Sequence, residues 1–314
     1  MLTILNLLGQ NAKLILPLGI LFALCLPETG NDLSVIVPPL IMIIYAVTFI
    51  RMDLMAMLRE TLSPSHLIEQ LVISAVLLIL MPIILIGACQ IVGVNALLMP
   101  SAVWYAVAPP IASTAWICSL MGLSLPVAMR IIIMTSLLAP FTGPFIGSLI
   151  LGDATGLSSF DMFVNLAIMI FVGVVIALIG QLLLGPARIA RNTDSFNGLA
   201  ALAMLLFLIP IFNGMTGQIV LNPWLALSLL ALATILNFST QFVLMLLAKF
   251  APSATLAQLA SVMAVVGGNR NVGLYYGALP PDPVFSMFTA LYQLPLYLTP
   301  LLMGHMRRLM GLDR

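Results

Sequence analysis

Apolar stretches of about 20 residues follow one another along nearly the whole of this 314-residue chain. A stretch of that length lets one α-helix cross the hydrocarbon core of a bilayer. The chain is 62% hydrophobic and only 7% charged, whereas soluble domains carry charge on about a quarter of their residues. Membrane β-strands would give short segments of alternating polarity instead, and these are absent. The sequence therefore predicts an all-α polytopic membrane protein, without features that indicate nucleic-acid binding.

Proline, glycine and charged residues divide the chain into ten expected membrane spans: 14–27, 34–50, 67–92, 96–121, 125–151, 161–184, 197–213, 222–250, 255–278 and 283–306. Loops on the side of the N-terminus hold the basic residues Lys13, Arg51, Arg59, Arg188, Arg191, Lys249, Arg307, Arg308 and Arg314, with Arg130 at the start of the fifth span. The opposite loops hold only the acidic residues Glu28, Asp32, Asp153, Asp161 and Asp282. Basic residues favour cytoplasmic loops. We therefore expect a multi-pass protein of the cell (inner) membrane with both termini in the cytoplasm. Residues 1–10 lack the features of a removable signal peptide.

Helix-breaking sequences recur at an offset of about 155 residues, the kind of spacing that marks an internal repeat. The fourth span is interrupted at Ala108–Thr114 and the ninth at Gly267–Asn271. The span after each break carries a proline pair, Pro140/Pro144 and Pro295/Pro300. Two halves, 1–153 and 160–314, would each contain five spans and would therefore be inverted relative to each other. Inverted repeats with discontinuous helices are typical of secondary transporters.

Arg270 lies within the second break, at a depth where a charge costs about 2.5–3.5 kcal/mol on insertion scales. No Asp or Glu lies in any other mid-membrane segment to pair with it. Ser113 and Thr114 supply hydroxyls at the first break, and Asn269 and Asn271 supply amides at the second. Unwound backbone and such side chains can hold an ion or a polar ligand. We expect an anionic or strongly polar ligand here. In the alternative, the guanidinium only caps half-helix carbonyls, and the two hydroxyls only bond to their own helix.

Several motifs resemble the bile acid:sodium symporter family over nearly the whole chain. They are Leu120-Met121-Gly122, the Gly-x-x-Asn-x-Gly-Leu run from Gly268 to Leu274, the segment Tyr45 to Leu54, and Met81-Pro82. The resemblance implies a panel domain (about 14–50 and 161–213) and a core domain (about 67–151 and 222–306). It also implies that helices 4 and 9 cross at their broken centres, and that alternating access moves organic anions. The resemblance further implies that Gln293 and Tyr297 on the tenth helix contribute to the substrate-binding region at the breaks, with plain packing as the alternative for each.

The sodium-binding positions of that family differ in this chain. Family members that use sodium place Glu and Gln around the ninth-helix break, where alignment through the motif glycines puts Val266 and Arg270. Alignment through Met81-Pro82 puts Leu77 at a third Gln position. Two unit charges about 4 Å apart repel by roughly 4 kcal/mol at an effective dielectric of 20, so we expect at least one sodium site to be lost. Arg270 would then be a tethered cation, which balances a carboxylate-like substrate or neutralises the carbonyl-lined site.

The resemblance also implies a second ion site, formed by the hydroxyls of Ser113, Thr114, Thr135 and Ser136. This site would be retained only in part, since Thr114 replaces an Asn and the shared Glu is missing. Beyond sodium, the sequence predicts no cofactor: His66 and His305 lack metal-ligand partners.

The predicted function is a secondary transporter or facilitator for a small, carboxylate-like organic anion, with sodium coupling disfavoured. A non-transporting sensor or subunit that keeps the fold is the alternative. An intramembrane enzyme is not expected, because Arg270 stays protonated and is a poor general base. An arsenite-permease-like function, suggested by Cys118 after the first break, ranks low because an acid expected on the ninth helix is absent. Substrate identity and oligomeric state stay open.

Overall fold

The computed structural model describes residues 2–29, 33–51, 53–152 and 156–312. These residues form helices almost throughout, and within them the only extended pairing is one isolated bridge. In order the helices are α1 (Leu2–Gln10), α2 (Ala12–Leu24), α3 (Val37–Ile50), α4 (Leu54–Thr61), α5 (Pro64–Ala75), α6 (Met81–Val92), α7 (Met99–Val107), α8 (Thr114–Leu120), α9 (Leu125–Leu151), α10 (Ser159–Leu184), α11 (Pro186–Arg191), α12 (Thr193–Phe212), α13 (Met215–Leu221), α14 (Pro223–Lys249), α15 (Ala254–Gly268), α16 (Val272–Ala278) and α17 (Pro283–Leu309). Met52 of the family-like segment and the predicted loop charges Asp32, Asp153 and Arg314 lie outside the described residues.

Five helices in the described ranges are long and apolar enough to cross a membrane: Pro64–Val92, Leu125–Leu151, Ser159–Leu184, Thr193–Phe212 and Pro223–Lys249. Two bent pairs raise the number to seven if each is one span. They are Thr3–Gln10 with Leu14–Leu24, bent by 98°, and Ser34–Ile50 with Leu54–Thr61, bent by 84°. Large apolar side chains also remain exposed on several of these helices, as lipid contact requires. The all-α prediction is confirmed, and the helices are compatible with a membrane protein.

Each of the ten predicted segments coincides with one helix or with two helices that follow one another. The first of the continuous helices, Pro64–Val92, contains a π-helical turn at Val76–Leu80 between α5 and α6. Four short helices, α1, α4, α11 and α13, were not predicted from the sequence. Short helices at the ends of spans leave little periodic signal in a chain that is apolar on all sides.

The additional helix α1 packs against α12 through small residues. A side chain at Gly198 would meet the backbone of Leu5, and one at Gly9 would meet the backbone of Asp194. Ser195 Oγ donates a hydrogen bond to Asn6 Oδ1 at 2.7 Å. Close backbone approach at glycine is a common way for helices to associate in apolar surroundings. α1 is therefore fixed to the start of α12.

Aromatic rings pack around the middle of the molecule. The rings of Tyr105 and Tyr292 meet edge to face with centroids 5.4 Å apart, and those of Trp104 and Tyr275 stack at 5.1 Å. All four are buried. Aromatic pairs of this kind add about 0.5–1.5 kcal/mol each beyond the area that they bury. These ring contacts connect α7 to α16 and α17. They therefore support the break that follows α7 and the break that precedes α16.

Candidate functional site

Both predicted helix breaks are present, and they lie side by side. α7 ends at Val107 and α8 begins at Thr114, while α15 ends at Gly268 and α16 begins at Val272. The two open stretches pair in antiparallel fashion. Ile111 N donates to Asn269 O at 2.9 Å, and Asn271 N donates to Pro109 O at 2.6 Å. These bonds satisfy backbone groups that would otherwise lack partners in an apolar interior.

The Arg270 guanidinium is fully buried, at 0% exposure, beside the paired breaks. Nη1 donates to the backbone carbonyls of Leu77 at 2.9 Å and Ala108 at 3.0 Å. In the described part of the chain the ion pairs are His66–Glu69 and Arg130–Glu60, and no carboxylate pairs with Arg270. Two carbonyl dipoles therefore face its charge, while the buried Nε and Nη2 make no hydrogen bond with the described residues.

Local sequence explains why these two carbonyls accept from a side chain. In the π turn, Met81 N donates to Val76 O, so the equivalent donor for Leu77 O would be the nitrogen of residue 82. That residue is Pro82, which has no N–H. Ala108 is extended and precedes Pro109 at the end of α7, so its carbonyl has no helical partner either. Pro82 thus frees the Leu77 carbonyl because it has no N–H, and Pro109 frees the Ala108 carbonyl because it keeps Ala108 out of the helix.

A cluster of polar side chains holds the end of α15. The Gly268 carbonyl accepts hydrogen bonds from Tyr105 OH at 2.7 Å, from Asn237 Nδ2 at 2.8 Å and from Tyr292 OH at 3.3 Å. Tyr292 OH also accepts from Arg270 N at 2.7 Å. Tyr105, Asn237 and Tyr292 were not predicted from the sequence. A signal was present, since buried tyrosine hydroxyls and amides within apolar helices require partners.

Asn269 belongs to this internal cluster. Its Nδ2 donates to Val265 O at 2.8 Å, and its Oδ1 accepts from Thr299 Oγ1 at 2.9 Å and from Asn237 Nδ2 at 3.2 Å. The side chain is fully buried. Its amide is therefore occupied by protein groups, which fits a framework role better than the predicted substrate contact.

Three predicted substrate-binding residues line one narrow cavity of about 20 Å³: Asn271, Gln293 and Tyr297. Tyr45 lies at the same cavity and accepts a hydrogen bond from Asn271 Nδ2 at 3.1 Å. Asn271 is 7% exposed, and its Oδ1 accepts from Leu274 N at 3.3 Å, which caps α16. A volume of this size holds roughly one water molecule, so the site is closed in this conformation.

The four hydroxyls of the predicted ion site behave differently from one another. Ser113 Oγ and Thr114 Oγ1 are buried and make no hydrogen bond with the described residues, whereas the buried hydroxyl of Ser136 lies beside the hydroxyl of Tyr45. Thr135 Oγ1 instead donates to Ile131 O at 2.6 Å on its own helix. The expected alternative of back-bonding by Ser113 and Thr114 is therefore wrong in this conformation. Ser113 lines a second cavity of about 20 Å³, which also borders Tyr297.

The fold and the site together define a helical protein, compatible with a membrane, that is built around two joined helix breaks and a buried guanidinium. Comparison with known proteins adds no relative: no family model matches the chain, and no curated protein matches its sequence. The resemblance to bile acid:sodium symporters therefore stays a prediction from the motifs.

Proposed function

We propose that the protein is a secondary transporter or facilitator that carries a small organic anion across the cell (inner) membrane by alternating access. In this proposal the chain crosses the membrane ten times, with both termini in the cytoplasm. Residues 1–153 and 160–314 form inverted halves, as in bile acid:sodium symporters. The panel comprises about 14–50 and 161–213, and the core about 67–151 and 222–306.

The pairing of the two breaks is the observation that carries the proposal. Discontinuous helices whose open centres meet are the usual architecture of solute sites in secondary transporters. Here the open stretches are joined by backbone bonds of 2.9 and 2.6 Å. A purely structural membrane protein gains nothing from interrupting two helices at the same place, because each interruption exposes polar backbone that must be satisfied again.

Asn271, Gln293 and Tyr297 form the substrate-contacting surface in this proposal, because they converge on the cavity beside the breaks. Tyr45 supplies a further hydroxyl there. Each side-chain amide has two N–H donors. One is used within the protein, by Tyr45 OH for Asn271 and by Thr289 O for Gln293, so each residue keeps one donor for a carboxylate oxygen. The cavity must widen when the panel and core separate, as alternating access requires.

Arg270 acts in this proposal as a fixed cation behind the substrate surface. Its contacts at 2.9 and 3.0 Å are with carbonyls, which favours neutralisation of the carbonyl-lined site over direct contact with the substrate. A positive charge at this position disfavours a sodium ion close by. It also favours an anion on the neighbouring surface, at Asn271.

A non-transporting sensor or subunit is the second candidate, and the tight closure of the cavity favours it.

Uptake measurements separate the two functions. Purified protein in proteoliposomes is expected to accumulate small radiolabelled carboxylates, and Asn271→Ala is expected to reduce the initial rate at least tenfold, because it removes a donor from the substrate surface. Asn222→Ala is the matched control, since Asn222 is exposed and makes no side-chain cap bond.

Saturable binding of a carboxylate without any uptake would favour the sensor. Uptake that is equal in the Asn271→Ala and Asn222→Ala variants would contradict the assignment of the site.

A further inference from the structure

A cavity of about 520 Å³ lies away from the helix breaks, between the α3–α4 connection and the α10–α11 connection. Its apolar wall includes Met55, Leu178, Leu182 and Ile189. Leu182 is 85% exposed and Met55 is 47% exposed. We call this cavity the α4–α11 groove.

The groove lies at the end of α10, which is one of the helices long and apolar enough to cross a membrane. The depth of its wall therefore corresponds to the boundary between hydrocarbon and headgroups. An exposed apolar wall at this depth suits an acyl chain. The acyl chain makes no hydrogen bonds with water, and it can pack against leucine and methionine side chains here. The groove can thus accept the apolar part of an amphipathic molecule.

Arg51 provides a cation to the lining of the groove, and it also lines a neighbouring cavity that includes Asn197. Its Nη1 donates to Asn197 Oδ1 at 2.6 Å, which fixes the guanidinium between α3 and α12. Among the ion pairs of the described residues, none involves Arg51. Burial lowers the pKa of Arg51 to about 10, so the group stays positively charged at neutral pH. A guanidinium of this kind can bind a phosphate with two hydrogen bonds.

Other charges around the groove are mainly positive. Arg188 and Arg191 are exposed in the last turn of α11. The one carboxylate of the lining, Asp53, accepts a hydrogen bond from Ala56 N at 2.9 Å and so caps α4. Asp194, at the start of α12, accepts a hydrogen bond from Gln10 on α1. Of these charges only Arg51 and Asp53 line the groove itself. With the adjoining Arg188, Arg191 and Asp194 included, three arginines stand against two carboxylates, both of which accept hydrogen bonds within the protein, and this balance favours an anionic headgroup.

We propose that the α4–α11 groove binds an anionic membrane phospholipid, with its phosphate on Arg51 and one acyl chain along Leu178 and Leu182. The basis for this site is the combination of a fixed cation and a lipid-exposed apolar wall in one cavity. The site is separate from the helix breaks and does not depend on the transport proposal. By joining α3 and α4 to α10 and α11, a bound lipid would stabilise this side of the protein.

Thermal unfolding of the delipidated protein in detergent tests the proposal. Phosphatidylglycerol is expected to raise the unfolding midpoint in a saturable manner. Phosphatidylcholine with the same acyl chains, and soluble glycerol phosphate, are expected to have little effect. Arg51→Gln is expected to weaken the apparent phosphatidylglycerol affinity by at least roughly tenfold. Arg59→Gln is the control, because Arg59 is an exposed cation on α4 that does not line the groove.

Equal stabilisation by phosphatidylglycerol and phosphatidylcholine would overturn the proposal, as would unchanged lipid affinity in Arg51→Gln. Stabilisation by glycerol phosphate alone, equal to that by the lipid, would show a site for free phosphate instead. If Arg51→Gln fails to fold, Ala190→Glu provides a second test, since it adds a carboxylate at an exposed position of the lining. Retention of the preference for phosphatidylglycerol in that variant would also overturn the proposal.

Discussion

Removal of the Arg270 guanidinium tests how the buried charge is held. In Arg270→Ala, the carbonyls of Leu77 and Ala108 lose donors at 2.9 and 3.0 Å. Charge-assisted hydrogen bonds contribute about 1.5–3 kcal/mol each, so the two together contribute about 3–6 kcal/mol. The variant no longer buries a charge that lacks a carboxylate partner, and this gain offsets part of the loss. We expect a net decrease of about 2–4 kcal/mol in the free energy of unfolding.

The decrease is measured as the thermal unfolding midpoint of the purified protein in detergent, where it corresponds to a shift of about 3–6 °C. Arg191→Ala is the matched control, because Arg191 is exposed and its loss is expected to leave the midpoint nearly unchanged. Guanidinium chloride at millimolar concentration is expected to restore part of the shift in Arg270→Ala, since the free ion can donate to the same two carbonyls. Urea at the same concentration is the control for general solvent effects.

An unchanged or higher midpoint in Arg270→Ala would refute this reasoning, because it would show that charge burial costs more than the two hydrogen bonds contribute. Failure of guanidinium to rescue the variant, together with a large loss of stability, would show that packing rather than the two carbonyl contacts explains the effect.

Two further substitutions examine the framework around the site. Tyr292→Phe removes the acceptor of Arg270 N and a donor to Gly268 O. It is therefore expected to lower the free energy of unfolding by about 1–3 kcal/mol. Tyr297→Phe is the control, and equal stability of the two variants would contradict this expectation. Gly198→Val places a side chain against the backbone of α1 and is expected to release that helix, seen as faster proteolysis near the N-terminus. Gly217→Val is the control because nothing lies within 4 Å of the added atom, and equal proteolysis of the two variants would contradict the packing described for α1.

The positions of the breaks could be predicted because their causes are local. Pro109 and Pro110 remove two backbone donors, and Gly267 and Gly268 lower helix propensity. These features lie within a few residues of each other in the sequence. Pairing of the two breaks was expected only from the repeat and the family resemblance, because the bonds of Ile111 and Asn271 connect segments far apart along the chain.

The partners of Arg270 could not be read from the sequence. Its acceptors are backbone carbonyls, and every residue has one, so no side-chain pattern identifies Leu77 or Ala108. Proline at positions 82 and 109 offered an indirect signal, since Pro82 has no N–H donor and Pro109 keeps the preceding residue out of the helix. The tyrosine hydroxyls that hold Gly268 also come from distant helices. Tertiary packing rather than local propensity therefore decides this part of the site.

Sodium dependence of carboxylate uptake is the most direct test of the proposal that the Arg270 guanidinium replaces a coupling cation. Proteoliposomes containing the wild-type protein are assayed with an inward gradient of sodium, of potassium or of protons. We expect the same initial uptake rate whether sodium or potassium is outside. A rate that falls to the level of empty vesicles when sodium is omitted would contradict the proposal.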